Sequence, residues 1–290
     1  MSSDEITFSA GRKFWSVAGL NEIGVERLSA SSISMFQRCP RSWAYRYVLG
    51  LKSPPDAGLV TGSGMHYAAE VLMGAKVVTG ENPDPSDAAE IAHDYAAEEL
   101  ATGEVITDGA EHEANILDRT ARLGSLWAEY AAPGVNPAKV ETTFTVELGG
   151  VPVMGRLDVI TREGTVVDWK SAKRSPAPGD VGKKVQTELY AAATEMPVEF
   201  IYVVDSPRVQ KVVPVALSRE EIAQARMLAG STVADTAAAM ASGAWPRNRD
   251  GWHCSKKWCG YYDRCMSGRD DATLNDLGAA ARAAAESTKG

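Results

Sequence analysis

The feature that most limits how this chain can fold is the run Gly155-Arg-Leu-Asp158-Val-Ile-Thr-Arg-Glu-Gly164-Thr-Val-Val-Asp168-Trp-Lys170, which reads as two apolar-rich strands joined by a tight turn. Arg162-Glu163-Gly164 supplies a three-residue hairpin loop whose last member needs positive φ, a conformation glycine adopts without a Cβ penalty. That loop pairs Thr161 with Thr165. Counting outward sets Asp158 directly across from Asp168, with side chains on one face and Cβ atoms roughly 4.5–5.5 Å apart. Lys170, two residues on, shares the face. Opposed carboxylates on a half-buried sheet destabilise it unless positive charge lies between them, and a hard divalent cation is the usual answer. The chemistry this suits is phosphodiester hydrolysis. The cation polarises the phosphate and generates hydroxide, while the ammonium stabilises charge on phosphorus or orients the water. Asp168-Trp-Lys170 alone is a weak signal, since average composition yields about two Asp/Glu-x-Lys triplets in a chain of this length. The opposed Asp158 gives it weight.

With 290 residues and 44% hydrophobic content the chain can bury a sizeable core, as one elaborated domain or as a domain with a helical insertion. No run of eighteen apolar residues occurs, and Met1-Ser-Ser-Asp-Glu lacks the basic start of a secretory signal, so the expectation is a cytoplasmic protein with no membrane partner. A net charge of −8 excludes coating nucleic acid by bulk charge, so any such contact must be local. Two stretches could supply it: Arg38, Arg41, Arg46 and Lys52, with no acid among residues 38–52, and Lys170, Lys173, Arg174, Lys183 and Lys184. Each is otherwise a solvated face. Three of the four cysteines, Cys254, Cys259 and Cys265, crowd one aromatic and basic stretch, and Cys39 stands alone. In a reducing compartment such a group binds metal more often than it forms disulfides.

Along the chain, residues 1–28 form a weakly specified arm or edge strand. Leu28-Ser-Ala-Ser-Ser32 caps a helix running into Arg38-Cys39-Pro40-Arg41, after which Trp43, Tyr45 and Tyr47 interleave with arginines, either to stack on bases or as a buried stripe. Gly58 to Gly64 is expected to lead into a helix that begins near His66, placing that histidine in the first turn as a cap or a metal ligand. Helices over 87–101 and 110–131 form an insertion, with His93 and His112 on solvated faces. Period-two strands follow from Val140, with Glu141 either reaching the hairpin site or solvated. A helix over 182–195 sets Gln186 and Tyr190 one turn apart on one face. Val198–Val204 reads as a central strand, Val209–Leu217 as another, and Ser218-Arg-Glu-Glu221 as a capping box. The divisions drawn are 1–65, arm and first-cysteine helix; 66–135, helical region with the histidine; 136–217, core; 218–268, helix and cysteine loop; and 269–290, Ala-rich tail.

Taken together, these residues resemble the RecB-type branch of the PD-(D/E)XK nucleases, the branch of CRISPR-associated and phage exonucleases, over about residues 28–268. The resemblance rests on Leu28 to Arg41, on His66 in Gly-Ser-Gly-Met-His, on Gly155-Arg-Leu-Asp158, on Val167-Asp168-Trp-Lys170, and on Gln186-x3-Tyr190. It implies an α/β restriction-endonuclease-like core, with a mixed central sheet flanked by helices, a helical insertion and an iron–sulfur-stapled C-terminal segment. By the same resemblance His66, Asp158, Asp168 and the Trp169 carbonyl would bind Mg²⁺ or Mn²⁺. Lys170 would activate or orient water, and Gln186 with Tyr190 would position the scissile strand. Cys39, Cys254, Cys259 and Cys265 would hold a 4Fe–4S cluster, although the four-residue gap between Cys254 and Cys259, where the family commonly has two, keeps zinc open. The implied activity is exonucleolytic hydrolysis of single-stranded DNA or DNA ends in recombination, repair or phage DNA processing. A structure-specific endonuclease and a non-catalytic DNA-binding accessory protein are the rivals. No Walker loop is present, so any helicase or recombination motor would be a separate partner.

Overall fold

The computed structural model describes residues 6–7, 18–177, 181, 184–206 and 209–287. The rest of the arm through residue 17, the first two residues of the helix expected over 182–195, Lys183 among them, and the last three tail residues lie outside these. In chain order the elements are β1 (Ile6–Thr7), α1 (Ala18–Glu22), α2 (Ala30–Arg38), α3 (Pro40–Trp43), a π turn at Ala44–Val48, α4 (Ala57–Thr79), α5 (Pro85–Ala101) and α6 (Ala110–Leu126), continued by a π turn at Trp127–Ala131. Then come β2 (Pro137–Leu148), β3 (Val151–Thr161), β4 (Val166–Ala172), α7 (Val185–Thr194), β5 (Val198–Ser206), β6 (Val209–Ala216), α8 (Arg219–Ala241), α9 (Tyr262–Ser267) and α10 (Asp271–Ser287). The strands lie in sequence order in one mixed sheet, five of them substantial and β1 only two residues long. The chain divides into two compact units, one comprising Pro54–Thr143 and Arg156–Ala223, the other Glu5–Ser53, Phe144–Gly155 and Gln224–Gly290.

In the first unit, the β3–β4 hairpin has the register its loop chemistry predicts. Val159 faces Val167 and Ile160 faces Val166, the Thr161 N–H donates to the Thr165 carbonyl at 2.9 Å, and Gly164 takes φ 78°. Continued by one pair, that register sets Asp158 opposite Asp168. β5 runs parallel to β4 and carries β6 antiparallel on its other side, so its apolar run is central as expected. Val159, Val167, Trp169, Ile201 and Val203 alternate onto one sheet face and bury against Met65, Ala69 and Met73 of α4 and against Leu123 and Trp127. Each large side chain buried there contributes on the order of 1.5–3 kcal/mol. Asp158, Asp168 and Lys170, between them in sequence, point to the opposite face.

Helix α4 corrects one expectation. Asp56 caps it, accepting the Leu59 N–H at 2.8 Å, so the helix begins at Ala57 and His66 lies near its middle. Gly58 to Gly64 is wound into the helix. Its glycines serve close packing: a Cβ on Gly64 would meet Thr120 Cγ2 at 2.5 Å and the Ala92 carbonyl oxygen at 2.9 Å, and one on Gly62 would lie 3.1 Å from Ser171 Oγ. Helices α5 and α6 can therefore approach α4 more closely than side chains would allow.

In the second unit, Ser29 and Ser32 form the reciprocal cap that starts α2. The aromatic and arginine stretch after it is core, which excludes base stacking by Trp43 and Tyr45. Both are fully buried, Trp43 lying edge-on to Phe36 at 5.4 Å and 6.0 Å from Trp245, and Tyr45 5.4 Å from Tyr261. Arg41 is likewise tied down, 3.4 Å from Asp271. The Ala-rich segment after 270 is the helix α10, which buries Leu274 and Ala281.

Gly64→Ala should destabilise the first unit by about 1–3 kcal/mol through overpacking. In urea melts, Thr120→Ser, which removes the clashing methyl and keeps the hydroxyl, should recover part of that loss.

Candidate active site

At the hairpin, side chains replace part of the backbone pairing. The Trp169 N–H donates to Asp158 Oδ2 at 2.9 Å, and His66 Nδ1 lies 3.3 Å from the same oxygen. The Trp169 indole packs edge-on against Trp127 at 5.6 Å, which fixes this stretch of β4 from behind. Asp168 is 1% exposed. Its Oδ1 accepts Gln186 Nε2 at 2.7 Å and Tyr190 OH at 2.9 Å, while its Oδ2 has the Lys170 ammonium in ion contact but no well-formed hydrogen bond. Tyr190 OH also accepts from Gln186 at 2.7 Å and lies 2.9 Å from the Arg156 carbonyl. Its single proton serves one of its two acceptors at a time. Gln186 and Tyr190, the helical pair expected to touch the scissile strand, thus grip Asp168 from α7.

A cleft of about 380 Å³ opens beside Asp158, lined by Ser63, His66, Glu70, Glu141 and Arg156 among others. A larger groove of about 750 Å³, on the sheet face that holds Ile201, contains no histidine and no opposed carboxylates, so chemistry rather than size selects the site. Arg156 and Glu70 were not anticipated. Arg156 Nη2 donates to Glu70 at 3.2 Å and its Nε contacts Glu141, joining α4, β2 and β3. Spacing could have found both: Glu70 is one helical turn from His66, and Arg156 alternates with Asp158. Glu141 does reach the site, by way of a left-handed backbone at φ 51° within β2. That conformation costs about 1–3 kcal/mol in a residue with a Cβ.

The electrostatics follow from burial and crowding. Burial works to raise Asp158, but the hydrogen bond and charge of His66, then Lys170, hold it below the ordinary carboxylate range. Burial raises Asp168 and the Asp158 charge raises it further, so the pair titrates apart. Burial opposes protonation of His66, yet the Asp158 hydrogen bond and charge keep its pKa above the usual value. Glu141 is pushed up to about 7 by burial and by Asp158, against the partial relief of Arg156. Tyr190 is raised well above 10 by burial and then by Asp168.

The cysteines lie in the second unit and converge there. Burial raises Cys254, and the charges of Cys259, Cys39 and Cys265 raise it further. Cys39 is held below its ordinary value, because the Asn248 backbone N–H and Ser42 outweigh burial. Ser42 Oγ stands 3.9 Å from Cys259 Sγ, and Arg247 Nε donates to Cys265 Sγ at 3.3 Å. The Arg41 N–H to Pro246 carbonyl bond (3.1 Å) and the Asn248 Nδ2 to Arg38 carbonyl bond (2.9 Å) draw the segments together. Among the described residues no three His, Cys, Asp or Glu side chains close around a common point as they lie, at the thiols or at the carboxylates.

These shifts give the metal-free protein a definite pH response. Glu141 titrates at 4.5 when unfolded and at about 7 when folded, so the folded state binds more protons between those values and stability falls as pH rises through them. Asp168 and His66, both raised, act with the same sign. Asp158, lowered, stabilises above 3.8 and loses that contribution in acid. The melting temperature should drop between about pH 4.5 and about pH 7, and Glu141→Gln should flatten the slope. An unchanged slope in that variant would place the proton elsewhere.

Residues 27–266 match the sequence profile of the PD-(D/E)XK nuclease superfamily. No curated protein matches the chain. Among solved structures, a candidate exonuclease from Eubacterium rectale superposes with a TM-score of 0.56 at 12% identity, over 85% of this chain and 92% of that one. The protein SSO0001, at 14% identity over 86% and 94% of the two chains, superposes only loosely, with a TM-score of 0.38. The first likeness is one of fold, and with the profile match across most of the length it leaves one assignment: this chain belongs to the PD-(D/E)XK nuclease superfamily.

Proposed function

We propose that the chain is a metal-dependent deoxyribonuclease that degrades single-stranded DNA or DNA from its ends. The observation that carries this reading is Asp158 opposite Asp168, with Lys170 against one carboxylate and His66 against the other, in a chain of a nuclease superfamily. Likeness of fold to a candidate exonuclease favours action from an end.

The residues fit Mg²⁺ or Mn²⁺. Hard carboxylate oxygens with one imidazole suit these ions, and the buried Asp168 Oδ2, with no well-formed hydrogen bond, is an oxygen a cation would satisfy. Held by His66, Asp158, Asp168 and the Trp169 carbonyl, the ion would polarise the scissile phosphate and lower the pKa of a bound water. Lys170 Nζ, beside Asp168, would orient that water and stabilise charge developing on phosphorus. Gln186 and Tyr190 position Asp168, and Arg156 braces the cleft wall against Glu70 and Glu141.

Asp158→Ala, Asp168→Ala and Lys170→Ala should each cost on the order of a hundredfold or more in turnover, with the folded structure retained by circular dichroism. His66→Ala should recover part of its activity at high Mn²⁺, which binds imidazole better than Mg²⁺ does. With end-labelled single- and double-stranded DNA and Mn²⁺, linear molecules should be degraded and circles left intact. Cutting of circles would replace the exonuclease with an endonuclease, and near-normal turnover in any of the three alanine variants would remove the site.

Cys39, Cys254, Cys259 and Cys265 are assigned in the same proposal to a 4Fe–4S cluster, with zinc as the alternative. Cys254 is raised by burial and by the charges of Cys259, Cys39 and Cys265, and a cation among the four would hold them as thiolates. Cys39 precedes Cys254 by 254 − 39 = 215 positions, and closing a loop of that size contributes about 5 kcal/mol by the disulfide-type estimate. Anaerobically purified protein should be brown, and Cys39→Ala should lower the melting temperature as much as Cys259→Ala. Colourless protein with one zinc would change the metal and keep the staple. A metal-free protein indifferent to Cys39→Ala would end it.

A further inference from the structure

Four of the described tryptophans, Trp43, Trp127, Trp169 and Trp245, are buried to 4% exposure or less, while two in the cysteine loop stand open, Trp252 at 75% and Trp258 at 57%. The two open rings meet edge to face, with centroids 5.6 Å apart and planes at 83°, and despite this contact and the His253 ring 5.9 Å from Trp252, both indoles stay exposed. Large indoles kept in water are costly unless something covers them. Tight turns hold them in place: the Cys254 N–H bonds the Gly251 carbonyl at 2.9 Å, and the Trp258 and Cys259 N–H groups bond the Ser255 carbonyl at 3.1 and 2.9 Å. The His253 ring folds closely over Gly251, where a Cβ would stand 2.1 Å from it as it lies. The platform is built before anything binds.

Charge selects the occupant. Of the basic residues in this loop, Arg247 is tied to Asp271, Arg264 to Asp270 and Lys256 to Asp263. Lys257 has no acidic partner among the described residues, and its ammonium lies over the Trp258 ring, 5.0 Å from the ring centre, while the charge of Arg249 acts on Cys254. Exposed indoles with an unneutralised cation against one of them, in a chain of net charge −8, match a polyanion whose own flat groups are exposed.

We propose that Trp252 and Trp258 form a stacking platform for unpaired bases of single-stranded DNA, with Lys257 on an adjoining phosphate. The choice of ligand rests on the nuclease reading. Duplex DNA presents no free base faces there, so the platform makes the protein prefer single strands, and because every base has a π face the preference is blind to sequence.

Fluorescence anisotropy with labelled oligo-dT, and with a duplex of equal length, tests this on the full-length protein with no added divalent cation, so that nothing is cut. Trp252→Ala/Trp258→Ala should weaken oligo-dT binding about tenfold or more, leave duplex binding unchanged, and melt at the wild-type temperature. Trp252→Phe/Trp258→Phe, which keeps the π faces, should restore most of the affinity. Lys257→Gln should lower the salt dependence of binding. With Mn²⁺ present, the double alanine variant should raise KM for single-stranded DNA and leave kcat unchanged. Unchanged oligo-dT affinity overturns the platform, as does equal loss on duplex, or a wild-type dimer that the alanine variant turns into a monomer of unaltered DNA affinity. Cleavage that survives those outcomes leaves the nuclease reading standing. A Trp-dependent oligo-dT affinity without cleavage in any metal supports the platform and removes the nuclease.

Discussion

The structure of the first unit depends on placing two carboxylates across a β-hairpin and making each tolerable in a different way. Asp158 takes the Trp169 N–H and leans toward His66, so its charge is shared with a backbone donor and an imidazole. Asp168, almost wholly buried, is gripped at one oxygen by Gln186 and Tyr190 and touched at the other by Lys170. The two groups therefore have pKa values moved in opposite directions, although their residue type and strand environment are the same. Environment sets that difference, the signature of a site arranged for chemistry rather than for stability.

Supporting that arrangement draws on several elements. The alternation of β4 sends Trp169 into the helical layer and Asp168 out of it, so packing of the indole on Trp127 also aims the carboxylate. Helix α4 brings His66 and Glu70 to the site one turn apart. Glycines at 62 and 64 allow that helix to approach its neighbours closely. The left-handed turn at Glu141 is local strain accompanied by an ion pair with the exposed Arg156, and a strained residue kept at a cleft fits a functional constraint.

How much of this was legible in the sequence differs by residue. The hairpin register was, because a loop ending in Gly164 and a period of two leave one pairing, and a slip of one residue would send Asp158 to the wrong face. Ser218 and Glu221 announced their cap, each bonding the other's backbone N–H. The start of α4 was not legible, since glycines before a helix and glycines inside one look alike until Thr120 and Ala92, distant in sequence, pack against them. Nor was the fate of Trp43 and Tyr45 among their arginines, because the partners that bury them, Trp245 and Tyr261, lie some two hundred residues away. Glu141 was undecidable for another reason: nothing in a strand pattern signals a positive φ at a non-glycine residue.

The two units share one physical device. In the first, burial and the Asp158 charge raise Asp168 while His66 and Lys170 lower Asp158; in the second, burial and then the neighbouring thiols raise Cys254. Each unit gathers groups of like charge that the chain's own cations only partly balance, Lys170 and His66 in one case, Arg247 in the other. Without a cation, the folded protein holds protons on Asp168 and Glu141 that the unfolded chain would release, so folding and ion binding are thermodynamically linked at the carboxylates. On the proposed assignments the two places differ in kind: carboxylates beside a cleft would exchange a hard ion with solvent, which suits turnover, whereas thiols drawn from segments two hundred residues apart would hold a soft ion and constrain the chain, which suits structure. A single chain would then use the same electrostatic crowding once for chemistry and once for cohesion, the two uses separated by the softness of the donor atoms and the sequence distance between them.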